Sequence, residues 1–350
     1  MKNYTFNLIT CIFLFSNFYL NAQNIQPEKM NDYIDYIEKN NMGIGCISIF
    51  KNGNETYTRN FGNNHHQTII YHVGSITKLF TATLIFKLIE QNKIALHTKL
   101  NTYFPEIKNS DKITIQNLLE HSSGLNNYVK KDEKTLWLTE PRTESDIFTE
   151  IKKQRILFSP TDSISYSNSG YFLLGKIIEK ESAKDYGKVL KKYFTKPLKL
   201  KNTKSEIQNP RKVSDSYTFK NNEWITTKDF YFKNIIGVGD ISSTPRDLNN
   251  FINALFDNKV VSNESVNKMK PLIRKENYGR GLMTFNFHGI DFYGNTGGTY
   301  GTKTILIHNE KSKISIALVL NGERFPRDKF ITDIVNIIFN HQFNYPSMAE

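Results

Sequence analysis

Apolar residues recur in two rhythms along the chain. Gly43 to Phe50 (GIGCISIF) is a nearly continuous apolar run that predicts a strand. Lys51-Asn52-Gly53-Asn54 predicts a hairpin turn leading into a second strand over Glu55 to Phe61. Near the other end, Thr302 to His308 and Lys313 to Leu320 predict another strand pair, joined across Asn309-Glu310-Lys311-Ser312. Ile331, Ile334, Val335 and Ile338 then recur at helical spacing within Phe330 to Phe339, so the chain is expected to close on an amphipathic helix. Between these ends the rhythm is helical and broken by loops. Leu79 to Gln91 predicts one helix, Ile115 to Glu120 a short one and Tyr171 to Glu181 another. Strands at both ends of a helical middle predict an α/β (α+β) fold, with one antiparallel sheet built from both termini and a helical lobe inserted. No repeat at a solenoid period divides the chain, so one unit with two lobes is expected.

Leu8 to Leu20 is apolar for a different reason. Lys2 supplies a basic start, and Leu20-Asn21-Ala22 ends the run on a small residue. Residues 1–22 therefore read as a secretory signal peptide, with Gln23 as the mature N-terminus and a periplasmic or extracellular destination. An uncleaved anchor is the alternative. Asn7, Thr10, Ser16 and Asn17 interrupt the run, and no stop-transfer pattern follows. Contact with a membrane is expected only through this segment. Two cysteines exclude a disulfide scaffold, and Cys46, in the apolar context Gly45-Cys46-Ile47, is expected to hide in a core strand.

Composition narrows the partners. The 350 residues carry 46 Lys plus Arg against 34 Asp plus Glu, a net charge of +12. The lysines are scattered, with no zinc finger, RNP motif or basic zipper, so nucleic acid is not an expected partner. In an exported protein this charge suits approach to an anionic cell envelope. The eight histidines show no His-Glu-x-x-His or other ligand spacing, so neither a metal nor another cofactor is expected. No Gly-x-Ser-x-Gly elbow occurs, which removes the α/β-hydrolase triad.

Three segments carry candidate chemistry. In Gly74-Ser75-Ile76-Thr77-Lys78, Ser75 and Lys78 lie one helical turn apart, and a desolvated lysine can take the proton that makes a serine nucleophilic. Taken alone, the pair reads first as a helix cap with a surface lysine. In Tyr166-Ser167-Asn168, a phenol beside an ammonium can exchange protons with a reacting group. An amide two residues later can hydrogen-bond both the lysine and a substrate, although the segment also reads as a helix cap. Asn295-Thr296-Gly297-Gly298 lies in a run of four glycines within Tyr293 to Gly301. There a substrate can lie along the backbone with a main-chain N–H aimed at an oxyanion, or the run is simply a turn.

Together, in this order and at these distances, the three segments resemble those of the serine β-lactamase and penicillin-recognising hydrolase family. The match is to its class C-like branch, which includes D,D-carboxypeptidases, D-amino-acid peptidases and esterases. Leu118-Leu119-Glu120-His121-Ser122-Ser123-Gly124-Leu125, Pro197 to Thr203 and Gly239 to Leu248 add phrases of the same kind. The resemblance implies a β-lactamase/transpeptidase-like fold over residues 23–350. Its sheet lobe would span about 40–74 and 282–345, its all-helical lobe about 75–281, and the site would lie between them. By resemblance Ser75 is the acylated nucleophile, Lys78 its proton-handling partner and Tyr166 the general acid/base. Asn168, Asn295, Thr296, Gly297 and Gly298 would bind substrate, and the N–H groups of Ser75 and Gly298 would form the oxyanion hole. His121 belongs to a loop that the family uses structurally. The implied activity is hydrolysis of amides or esters of a small molecule or peptide, including peptidoglycan-derived ones, through an acyl-enzyme. The family carries Lys or His where this chain has Asn295, and Lys303-Thr304 is followed by Ile305 rather than Gly. That change argues against binding a substrate carboxylate more than against acyl transfer. A non-turnover binding or sensing protein on the same fold is the other reading.

Overall fold

The computed structural model describes residues 25–62, 68–130, 138–206, 213–271 and 277–347, so the expected signal segment lies outside the described residues. In chain order, α1 (Pro27–Lys39) leads into β1 (Gly43–Lys51), β2 (Asn54–Phe61) and the short β3 (Tyr71–His72). The middle holds α2 (Thr77–Glu90), α3 (Ile115–Leu119), α4 (Glu144–Lys153), α5 (Asn168–Ser182) and α6 (Tyr186–Leu190). Next come β4 (Lys204–Ser205), β5 (Ser216–Lys220), β6 (Glu223–Thr227), β7 (Ile241–Ser243), α7 (Pro245–Phe256) and α8 (Asn263–Met269). The chain closes with β8 (Met283–Phe287), β9 (Ile290–Gly298), β10 (Lys303–Asn309), β11 (Ile314–Glu323) and α9 (Arg327–Phe339).

The main sheet runs β2-β1-β11-β10-β9-β8, antiparallel at every pairing, so both ends of the chain meet at its centre as the apolar pattern predicts. Alternation along the strands sorts side chains to two faces. One face packs Ile47, Ile305, Ile316 and Leu318 against Tyr33, Ile34 and Ile37 of α1 and Phe330, Ile334 and Ile338 of α9. The other face joins Leu306 and Ala317 to a second core shared with α2, α5 and α7. Cys46 is buried on β1 beside Tyr71 and Val319, and burial pushes its thiol up to about 12, which leaves it inert.

The inserted lobe differs in detail from a purely helical one. It is helical at its core, but β4 and β7 join β3 in a three-stranded sheet, and β5–β6 form a hairpin. Strands of two or three residues carry too little alternation to be read from sequence. At the lobe's centre, α2 buries Thr77 through Phe86 without a break. A helix apolar all round must sit in the interior. That placement takes Lys78 inside with it.

Candidate active site

Ser75 sits in a 3₁₀ turn, Gly74–Ile76, that feeds α2. It occupies neither cap position, since Val73 precedes the turn and Ile76 precedes the helix. Its hydroxyl is used otherwise: Oγ lies 2.7 Å from the Tyr166 Oη and accepts from Lys78 Nζ at 3.1 Å. Nζ also donates to the Val238 carbonyl at 2.9 Å and lies 4.9 and 5.7 Å from the ring centroids of Tyr166 and Tyr171. The lysine side chain is fully buried, and no carboxylate bonds to it among the described residues. Burial therefore holds its pKa well below the ordinary lysine value.

Tyr166 is crowded by protein yet has 44% of its surface reachable by solvent. That crowding raises the phenol pKa, Tyr278 adds to the rise, and the bond to Ser75 opposes it. The resting site thus pairs an amine whose charged form burial disfavours with a phenol whose proton burial retains. His121 packs against Tyr166, Tyr171 and Tyr278 at 4.5–5.1 Å, and its Nδ1 accepts from the Ser167 N–H at 3.1 Å. Burial, with Lys78 nearby, pushes its pKa down to about 3, so the ring is a neutral buttress.

Ser167 is the N-cap of α5, but its side chain makes no capping bond and instead donates to Asn126 O at 3.1 Å, as Ser169 does at 2.6 Å. These bonds fix the turn that presents Tyr166 and Asn168. The Asn168 Oδ1 is enclosed and accepts no hydrogen bond among the described residues.

The glycine-rich third segment is a strand end and not a turn. β8 pairs with β9 only as far as Gly294, and β10 pairs along the other side through Gly298. Asn295 through Gly298 consequently present one strand edge free of β8. Asn295 is 2% exposed, its Nδ2 donates to Gly281 O at 2.9 Å, and its Oδ1 accepts from the Thr296 N–H at 2.8 Å. Its amide braces the strand from beneath, whereas Thr296 and Gly298 are half-buried on the edge. The glycines allow backbones to touch. Gly74 has φ +54°, and a Cβ there would stand 2.7 Å from Gly298 N. A Cβ on Gly297 would stand 2.0 Å from Val73 O and 3.0 Å from Ser75 N. The two expected oxyanion donors are thus brought together by residues without side chains. Gly297→Ala is expected to cost about 1–3 kcal/mol of stability through overpacking and to lower kcat more than it raises KM, because the Ser75 turn must retreat. Thermal melts and steady-state kinetics on one ester check both.

Other contributors left no signal in the sequence pattern. Val238 acts through its carbonyl, which composition cannot reveal. Tyr278 stacks edge-on to Tyr166 at 6.4 Å, with its hydroxyl 3.5 Å from that of Tyr171. The glycine-flanked Tyr278-Gly279-Arg280-Gly281 was its only available clue. A separate cavity of about 700 Å³ lies between β1–β2 and the start of α7, away from this chemistry. Among the described residues, no three His, Cys, Asp or Glu side chains gather to hold a metal.

Fold and constellation together define a serine hydrolase. The profile of the Beta-lactamase family matches residues 37–336, and the chain belongs to that family. It is 27% identical over 260 residues to the penicillin-binding protein-like PbpX of Bacillus subtilis (strain 168), covering 70% of this chain and 64% of that protein, less than two thirds of its length. Identity is 25% over 344 residues to the teichoic acid D-alanine hydrolase of Staphylococcus aureus, covering 89% and 81%. The D-amino acid amidase of Ochrobactrum anthropi SV3 superposes with a TM-score of 0.79 at 20% identity, covering 89% of this chain and 99% of that one, which shows the shared fold.

Proposed function

We propose that residues 23–350 form one catalytic domain that hydrolyses esters or amides through an acyl-enzyme on Ser75. One observation carries the reading: a serine hydroxyl within hydrogen-bond reach of both a buried, carboxylate-free lysine and a phenol. As Oγ attacks the carbonyl carbon, its proton passes to the neutral Lys78 Nζ, and the oxyanion meets the N–H groups of Ser75 and Gly298. When the tetrahedral adduct collapses, the leaving nitrogen or oxygen takes the proton of Tyr166, and the phenolate is reprotonated from Lys78. In deacylation the same groups take a proton from water and return it to Oγ. Retention of nucleophile, base and acid in one contact favours turnover over a binding or sensing role.

Substrate choice follows from charge. The third segment offers Asn295 in place of a cation, and its amide is committed to Gly281 and Thr296. A charge-assisted bond to a carboxylate contributes roughly 1.5–3 kcal/mol, so its lack weakens anionic substrates about tenfold to a hundredfold. The names of two relatives, a D-alanine hydrolase and a D-amino acid amidase, point to acyl groups that are amino acids. We infer small or aminoacyl esters and amides as substrates, with penicillins and other carboxylate-bearing compounds disfavoured. Export is inferred from residues 1–22, and among the described residues no helix is long and apolar enough to cross a membrane. The test is the ratio of kcat/KM for p-nitrophenyl acetate to that for a penicillin. A ratio well above one is expected; efficient penicillin hydrolysis would overturn the substrate preference while leaving the acyl-enzyme intact.

A further inference from the structure

We infer that the acyl side of the cleft binds a free α-ammonium group and that Asp229 is the anion that selects it. This rests on the hydrolase reading above and names the class of acyl donor: aminoacyl esters and amides with an unblocked amine. Just past the oxyanion strand, Thr299 is buried at 7% exposure and donates its hydroxyl to Asp229 Oδ2 at 3.0 Å. The Ser216 hydroxyl donates to the same oxygen at 2.7 Å, and the Phe230 N–H donates to Oδ1 at 2.8 Å. Ser216 is itself tied to Thr302, which donates to Asn321 at 2.5 Å. The carboxylate is therefore fixed in place beside the strand end rather than left on a loose surface side chain.

Its donors are all neutral. Among the described residues no lysine or arginine forms an ion pair with Asp229, so its charge is uncompensated by a close cation. A carboxylate accepts about four hydrogen bonds and this one receives three, which leaves room on Oδ1. The group is half-buried, so a cation meeting it gains more than it would in open water. Beside it, Phe230 stacks edge-on to Tyr300 at 4.7 Å, and Tyr300 is 41% exposed. Aromatic faces next to a carboxylate suit an ammonium, which gains from both. An α-ammonium brings three N–H donors, of which the open position on Oδ1 takes one.

A cation also borders the strand end. Lys303, paired with Gly298 across β9–β10, places Nζ 3.8 Å from where a Cβ on Gly298 would stand. Burial raises the pKa of the half-buried Glu323 carboxyl, and the charges of Lys303 and Arg327 oppose that rise. Recognition of an anionic acyl group through Lys303 is the competing outcome.

The experiment compares kcat/KM for D-alanine p-nitroanilide, its N-acetyl derivative and its N-succinyl derivative, using the purified protein. The free-amine substrate is expected to lead the N-acetyl one by about tenfold to a hundredfold near neutral pH. That ratio should collapse as pH rises through the substrate ammonium's pKa, near 8 for an α-amino group. Enzyme groups that do not meet the ammonium titrate alike for both substrates and cancel in the ratio, so this arm needs no variant. Asp229→Asn should lower the ratio at least tenfold at neutral pH. A ratio near one or independent of pH overturns the proposal, as does a preference for the succinyl compound. Equal loss on all substrates in Asp229→Asn would make the residue a brace for Thr299 and also overturn it. Failure of the hydrolase reading is distinct, because p-nitrophenyl acetate would then not be cleaved either.

Discussion

Ser75→Ala is expected to abolish covalent labelling by a fluorophosphonate probe and to lower kcat by about 10⁴-fold or more, with little change in the melting temperature. The stability half of this expectation comes from the turn geometry. A serine that capped a helix would cost about 1 kcal/mol on removal, but here, among the described residues, the hydroxyl bonds to Tyr166 and Lys78 and not to a helix N–H. Intact mass after labelling is the measurement. A wild type shifted by one adduct beside an unshifted variant supports Ser75, whereas an adduct on the variant would place the nucleophile elsewhere.

Lys78→Met is expected to separate activity from stability in opposite directions. Turnover should fall by about 10²–10⁴-fold, because no other described group bonded to Ser75 is a neutral base. The protein should nevertheless melt no lower than wild type at neutral pH. In the unfolded chain the lysine is protonated, whereas burial disfavours its charged form in the native state, so the unfolded state binds the proton more readily. Wild-type stability accordingly rises with pH from the depressed native pKa up to the ordinary lysine value near 10.5. Methionine carries no such proton, so the gap between variant and wild type should narrow as pH climbs. Melting curves from pH 6 to 10 check this, and a gap that widens with pH would show that Lys78 is charged in the native protein. In kinetics, the same depressed pKa should set the acid limb of kcat/KM.

The two strand pairs were legible because each apolar run is long enough to bury a whole face; only their ends shift, β11 running to Glu323 and not Leu320. Asn168 begins α5 three residues before the apolar pattern does, because Ser169 is held by the Asn126 carbonyl and Gly170 packs closely on Leu118, neither through a large apolar side chain of its own. The Ser75, Lys78 and Tyr166 segments could be found because their spacing along the chain is distinctive. The mode of use of Asn295 could not. Whether an amide faces a substrate or a neighbouring carbonyl depends on Gly281, which arrives from a different strand approach. Asp229 was equally hidden, since its meaning comes from Thr299, seventy residues away in sequence.

The pairing of β1 with β11 has a consequence for how the molecule comes into being. Gly43 meets Glu323, so the centre of the sheet closes almost the entire chain into one loop. Contacts this distant in sequence carry the full entropy of loop closure before they return any stability, which slows folding. A nascent chain that has released α2 and even β9 still lacks the strand that joins β1 to β10. The nucleophile and its base are therefore made long before the oxyanion edge on β9, and the sheet that holds that edge closes onto β1 only when β11 arrives. Synthesis order alone keeps the central sheet beside the acylating centre open until β11 has been made.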